Sequence, residues 1–329
     1  MPESQSQNFN HLKIHTQYSI CEGAARIDDL QEYSKKNKIK SLGLCDTSNL
    51  CGALEFAEKI SKSGTQPIIG TQINFKISEV IGLIPLFALN ETGYKNIIEL
   101  SSLSYLENDE LSDPHVDFDQ LLKKSEGVSI FSGTVFGLFG KLFDKGKFTE
   151  IHELYLKIKN IFGDRFYIEI QRHNDPNEIG FEKFNLKKSF DLEIPIIATN
   201  EVFYLDKEMH EAHDALICIG NKTYVNEKNR LRLTDQHYLK TNSEMSELFA
   251  DLPEALENNY NFPLRCNYRP LFSNPILPNI SSDKDGNADE ILKKDSIEGL
   301  KVKFNKIFNL SDKDLENNNS YREYNERLN

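Results

Sequence analysis

The strongest constraint on the fold is a repeated alternation between short apolar runs and helical patterns. The runs are His11–His15, Lys40–Cys45, Pro67–Phe75, Gly82–Ala88, Gly127–Phe131, Phe166–Ile170 and Ile194–Ala198. Helical patterns fall between most of them. Such alternation predicts an α/β fold with a mostly parallel sheet and helices outside it. About seven strands suit a barrel or near-barrel, with an open doubly wound sheet as the alternative. Among the helices, Ile27, Leu30 and Ser34 share a face, with Asp28 and Asp29 in the first turn and Lys35 and Lys36 in the last, as the helix dipole favours. Leu50, Ala53, Leu54, Ala57 and Ile60 form a second stripe, with Ser48 or Asn49 as its cap. Asp206 reads as the N-cap of a third, on which Met209, Ala212, His213, Leu216 and Ile217 share a face and Gly220 takes the C-terminal cap. Thr241 and Glu244 are spaced as a capping box, and Pro253 is placed to start a helix.

Charge and cysteine usage narrow the function classes. Lys and Arg number 39 against 51 Asp and Glu, a net charge of −12, which argues against a main duplex-gripping surface. Cys21, Cys45, Cys51, Cys218 and Cys266 are scattered and form no C-x-x-C pair, so neither a disulfide framework nor a structural zinc site is expected and a cytoplasmic setting fits. Met1 to Asn8 carries no signal-peptide pattern, and the longest apolar run, Val80 to Leu89, is too short for a membrane span. The expected organisation is a flexible N-terminus over 1–9, one barrel-sized domain over 10–262, a proline-rich linker over 263–287 and a short helical extension over 288–329. The tail from Glu316 is polar enough to be disordered.

In a parallel barrel, chemistry gathers at the C-terminal ends of the strands. Here those ends offer His15, Glu22, Asp46, Glu201 and His173 as groups able to hold a metal. They also offer Lys13, Thr47, Gln72, Thr134 and Phe203, poor ligands or none. A lysine inside a metal cluster would repel the cation directly.

Longer motifs point to a family. The stretch from Asn10 to Arg26 resembles the opening PHP motif of the bacterial DNA polymerase III alpha subunit family. Leu44 to Leu50, followed by Gly52 and Phe56, resembles its second motif, and Pro67 to Gly70 its third. Asn90 to Asn96, Ile161 to Tyr167, Gln171 to His173, Ala198 to Val202, Ala212 to Asp214 and Leu248 to Asn258 continue the match in order. The resemblance implies a PHP domain, a distorted (β/α)7 barrel. Metal-competent members carry a cluster of His, Asp, Glu and Cys ligands that supports phosphoesterase or 3′–5′ exonuclease chemistry.

Against that pattern, His15 and Asp46 are kept, and Glu22 and Glu201 remain carboxylates. Lys13, Thr47, Gln72, Leu83, Thr134 and Phe203 stand where ligands are lost. No tightly bound metal is therefore expected, nor a residual divalent ion with so few ligands to hold it. The resemblance further implies that 288–329 begins the polymerase palm and that the magnesium-binding palm carboxylates lie downstream. The chain by itself is then expected not to polymerise DNA. Its expected partners are the proofreading exonuclease subunit and other replicase subunits, with DNA reached through the full-length polymerase and no membrane contact. Two other readings are a free-standing metal-dependent phosphoesterase and a truncated interaction protein.

The individual side chains carry further expectations. His15 is expected as a hydrogen-bonded structural histidine at the barrel mouth, and Asp46 as an ion-pair partner of Lys13. Glu22 and Glu201 are read as solvated carboxylates or ion-pair members. His173 and His213 are read as structural, and the lysines Lys35, Lys36, Lys38 and Lys40 as a solvated helix end.

Overall fold

The computed structural model describes residues 9–108, 112–275, 287–315 and 317–328. Two compact units result, the first ending at Phe272 and the second beginning at Ser273. Residues 1–8 of the expected flexible N-terminus over 1–9 and residues 276–286 of the expected linker lie outside the described residues, whereas Phe9 is buried and its N–H donates to Asn242 Oδ1.

The first unit is built on nine strands among the described residues. They are β1 (Lys13–Ile14), β2 (Ser41–Thr47), β3 (Gln66–Ile77), β4 (Val80–Ala88), β5 (Val116–Asp117), β6 (Val128–Phe131), β7 (Phe166–Ile170), β8 (Ile196–Ala198) and β9 (Glu201–Val202). The main sheet runs β2-β3-β4-β6-β7-β8, with β5 beside β3. Strand β1 closes it. Lys13 pairs with Glu201 and Ile14 with Val202 in parallel register, while Gly43 N on β2 donates to His11 O at 2.7 Å. A side chain at position 43 would put its Cβ 2.3 Å from Leu12 O; only glycine allows β1 so close. The result is the distorted barrel expected of a PHP fold.

The sheet is less parallel than expected. β4 runs antiparallel to both β3 and β6. The cause is local: β3 and β4 are joined by a two-residue turn in which Ser78 adopts φ 51°. A parallel pair needs a crossover of a dozen or more residues, and a tight hairpin cannot supply one.

Helices α1 (Ile27–Asn37), α2 (Ala53–Lys62), α3 (Glu91–Leu106), α4 (Phe118–Lys123), α5 (Leu138–Asp144), α6 (Phe148–Phe162) and α7 (Pro176–Leu192) follow the strands; α8 (His210–Gly220), α9 (Asn242–Leu248) and α10 (Pro253–Asn261) complete the unit. Helix α1 buries Ile27, Leu30 and Ser34 as its pattern predicts. The Thr241–Glu244 capping box forms at α9, and Pro253 starts α10. Two caps differ. Helix α2 begins after Gly52, and Asn49 instead shapes the preceding turn by accepting from Cys51 N at 3.0 Å. Gly220 is the last residue of α8 rather than its cap; a Cβ there would meet Cys21 Cβ at 2.7 Å.

Two apolar layers frame the interior. Between sheet and helices lie Ile73, Ile84, Phe139, Tyr155, Ile158 and Phe166. Inside the barrel, Leu12, Cys45, Ile68, Phe87, Phe131, Tyr167, Ile197 and Phe262 form a separate plug. Phe262 packs its ring 5.1 Å from that of Phe131 and 5.6 Å from that of Phe87. Packing continues beyond it. Gln66 Nε2 donates to the carbonyls of Pro263 and Cys266, and Asn267 N donates to Leu89 O.

The second unit contains α11 (Ala288–Phe308), α12 (Asp312–Leu315) and α13 (Asn319–Leu328). The tail expected to be disordered is helical from Asn319. Tyr321 is buried with Phe304 and Leu315, and Asn318 Oδ1 accepts from Tyr321 N at 3.0 Å. One buried aromatic and a cap outweigh the polar composition.

Candidate functional site

Just C-terminal of the apolar plug, the barrel interior turns polar. Strand periodicity dictates this: residues two apart face the same side. Lys13 on β1 and His15 just after it, and Tyr167 and Glu169 on β7 with Gln171 just after it, thus project from one face each. The β1–β9 register sets Lys13 opposite Glu201.

The centre of the site is an ammonium group. Lys13 is fully buried, its Nζ 3.2 Å from Glu201 Oε1 and 3.5 Å from Glu169 Oε1. Neither approach has hydrogen-bond alignment, and Glu169 Oε2 also lacks a hydrogen-bond partner, so the contact is chiefly electrostatic. His15 Nε2 lies 3.1 Å from the same Glu201 oxygen. Glu169 Oε1 accepts from Thr199 Oγ1 and, at 3.0 Å, from Gln171 Nε2.

Burial and charge compete at each of these groups. Burial pushes the Lys13 pKa down, but the Glu169 and Glu201 carboxylates outweigh it and hold the ammonium above its ordinary range. Burial pushes Glu201 up, yet Lys13 and the His15 bond hold it well below the usual carboxylate range. Glu169 is raised, because burial exceeds the pull of Lys13. Burial also pushes the neighbouring Cys45 thiol well up, which keeps it neutral.

Asp46 does not pair with Lys13. Its carboxylate turns to the loop after β1, accepting from Thr16 N at 2.6 Å, Thr16 Oγ1 at 2.9 Å and Ser19 Oγ at 2.7 Å. Burial raises its pKa while these bonds oppose the rise. Adjacent amide and hydroxyl donors satisfy the carboxylate in place, so Lys13 pairs across the barrel instead.

The positions that the resemblance marks as lost ligands are held by other contacts. Gln72 Nε2 donates to Thr47 Oγ1 at 3.1 Å, and Thr47 Oγ1 lies 3.4 Å from His15 Nδ1. The Phe203 ring stacks on His15 at 4.5 Å and on His213 at 5.4 Å. Leu83 pairs with Asn74 on the β3–β4 hairpin and is half-buried. Thr134 Oγ1 accepts from Phe136 N at 3.0 Å, shaping its own turn. Glu22 is half-buried; its carbonyl accepts the His213 Nε2–H at 2.7 Å, and its carboxylate forms no ion pair among the described residues.

A layer of neutral histidines adjoins the cluster. His173 Nε2 accepts from Glu201 N at 3.2 Å, which leaves Nδ1 to donate to Glu178 Oε1 at 3.0 Å. Its ring stacks on His237 at 4.1 Å, and His237 Nδ1 donates to Glu201 O at 3.1 Å. Burial lowers the His173 pKa to about 3 and that of His11 to about 4, and holds His237 well below its ordinary value. Burial pushes Glu178 up to about 7.

A metal cluster does not fit these residues. A cationic nitrogen already lies within 3.5 Å of both central carboxylates. No group of three or more His, Cys, Asp or Glu among the described residues has a metal-holding arrangement. Glu169 and His237 are the residues that sequence reasoning missed. Glu169 sits inside the Phe166–Ile170 run, where its single charge in an apolar strand was the available signal.

Comparison with known proteins agrees with this architecture. The PHP domain family model matches residues 11–173. The chain is 36% identical over 316 residues to the DNA polymerase III subunit alpha of Caulobacter vibrioides, covering 92% of this chain and 27% of that protein. It is 36% identical to the same subunit from Rickettsia conorii, covering 98% and 27%. The Borreliella burgdorferi subunit is also 36% identical, over 91% and 27%. The chain thus spans about a quarter of the length of these curated relatives. No helix among the described residues is long and apolar enough to cross a membrane. Over nearly its whole length the chain is thus similar to about a quarter of the DNA polymerase III alpha subunit, and residues 11–173 within it match the PHP domain.

Proposed function

We propose that this chain serves DNA replication as a structural and partner-docking module of a replicase large subunit, not as a phosphoesterase. What carries this reading is the Lys13 ammonium, within 3.5 Å of both central carboxylates. Metal-assisted hydrolysis needs open coordination positions and an activated water, and a buried cation opposes both. The polar network through His15, Thr47, Gln72 and Glu201 ties β1, β2, β3 and β9 together at the mouth of the barrel. Such a network favours a rigid platform. In this reading the polymerase chemistry, with its magnesium ions and DNA, belongs to the remainder of the large subunit. The partner that docks is the proofreading exonuclease subunit, with other replicase subunits assembling on the same polymerase. The unpaired cysteines accord with a cytoplasmic location.

The test has two arms. In the first, the purified chain is mixed with the proofreading subunit at micromolar concentration; co-elution is expected, and its absence defeats the docking role. In the second, manganese- or zinc-supplemented protein is assayed on a phosphomonoester and on single-stranded DNA. Hydrolysis abolished by Glu201→Gln would overturn the non-catalytic reading and restore a phosphoesterase.

A further inference from the structure

We propose that the outer face of α7 is the docking groove, and that it receives an amphipathic helical segment carrying a cation at one end and a carboxylate at the other. The inference rests on the docking reading above and adds to it the surface used and the chemistry of the segment that fills it.

Helix α7 buries Phe181, Asn185 and Leu192 against the barrel. A helix packed on one side ordinarily turns polar residues to the other, and α7 does not. Ile179 is 76% exposed and Phe190 is 85% exposed. Leu186 lies between them, half-buried. Positions 179, 186 and 190 share one face over three turns, a length of about 16 Å.

Two hollows run along this stripe. One, of about 800 Å³, has Ile179, Leu186, Leu248 and Asp251 in its wall. The other, of about 970 Å³, has Leu186, Phe190, Ile194 and Glu254. Leu186 borders both, so they form one groove. Part of its wall is already fixed. Arg172 donates to both oxygens of Glu182, at 2.6 and 3.0 Å, and to both of Asp251, at 2.6 and 2.8 Å. It also donates to Leu248 O at 2.7 Å. This clamp ties α7 to the turn between α9 and α10, so a ligand meets a groove that needs little ordering. Apolar anchors at helical spacing in a preformed groove suit an amphipathic helix.

Charge selects the occupant. Carboxylates outnumber cations in the walls, four to two in the first hollow and three to one in the second. A nucleic-acid backbone or an anionic membrane needs the opposite balance. A two-fold contact with a second copy would lay the same surplus on itself. A protein segment of complementary charge fits. Among the described residues, Asp191 and Glu254 at the Phe190 end form no ion pair, and neither does Lys183, one turn from Ile179. The segment therefore brings its cation to the Phe190 end and its carboxylate to the Ile179 end.

The experiment measures binding of the proofreading subunit to the wild-type chain and to Phe190→Asp by calorimetry. Phe190 is exposed, so thermal unfolding of the variant should match the wild type. Leu106→Asp, at a leucine on α3 that is 80% exposed, is the control and should bind as the wild type does. Phe190→Asp is expected to weaken binding about 30-fold or more, as loss of an aromatic anchor does. Asp191→Lys combined with Glu254→Lys should weaken it roughly 5-fold, and that loss should shrink as salt is raised. Full-strength binding by Phe190→Asp overturns this proposal and leaves the docking reading standing. Absence of binding by the wild type overturns both. A second readout uses Phe190→Cys in the full-length large subunit. A maleimide should label position 190 in the subunit alone, and the proofreading subunit should protect it. Protection without the proofreading subunit would assign the groove to the same polypeptide and overturn the proposal.

Discussion

Replacing Lys13 with methionine keeps most of the buried stem and removes the charge. At an effective dielectric of about 20, unit charges at the observed 3.2 Å attract by roughly 5 kcal/mol. Moving the ammonium out of water costs several kcal/mol in the wild type, so the intact pair contributes much less than that figure. Removing one member differs from removing both. Glu201 and Glu169 would stay buried without a counter-charge, a condition that costs about 3–5 kcal/mol.

The pH dependence identifies the cause. In the wild type Glu201 is held well below its ordinary pKa, so it contributes stability above about pH 4.5 that is lost as pH falls. Without Lys13, burial raises its pKa instead, and the folded state is penalised as pH rises and the carboxylate ionises. The destabilisation by Lys13→Met should therefore be larger at pH 8 than at pH 5. Urea denaturation at both pH values measures it. The triple variant Lys13→Met, Glu169→Gln, Glu201→Gln should recover more than half of the loss. A loss below about 1 kcal/mol at pH 8, or one independent of pH, would refute the buried-charge argument.

Two other perturbations follow from the same site. Asp46→Ala strips the acceptor from Thr16 N and Ser19 Oγ; chemical denaturation should show a loss of about 2–4 kcal/mol, and amide exchange should quicken over residues 16–24. Acid stability is governed by opposed groups. The lowered pKa values of His11 (about 4) and His173 (about 3) mean the unfolded chain binds more protons below about pH 6.5, so stability falls with acid. Glu178, raised to about 7, binds its proton more tightly when folded and opposes that fall between about pH 4.5 and 7. Glu178→Gln removes the opposition, so its stability should drop more steeply from pH 6.5 to 5 than the wild type's; an equal or shallower slope in thermal unfolding would contradict the assignment.

Much of this protein was legible in its sequence because the relevant physics is local. Alternation of apolar runs with helical patterns set the strands and most helices, since burial on a strand or a helix face repeats at fixed periods. The Thr241–Glu244 box and Pro253 worked for the same reason: a cap is complete within four residues. Lys13 at the mouth of the first strand already argued against a metal cluster. What the sequence left open depends on distance along the chain. The reversal of β4 rests on a turn two residues long between two runs that read alike. The helix at Asn319 rests on Tyr321 meeting Phe304.

The partner of Lys13 is the clearest case. Asp46 lay nearer in sequence and carried the right charge, yet it is saturated by the amide and hydroxyls of the first loop. Glu169 was hidden in an apolar strand far along the chain, and barrel closure brings it to the lysine at 3.5 Å. The sequence by itself determined most of the elements that form. Only the tertiary structure decided which buried charges neutralise one another, because a carboxylate pairs with the nearest cation in space and strand register, not chain position, sets that distance.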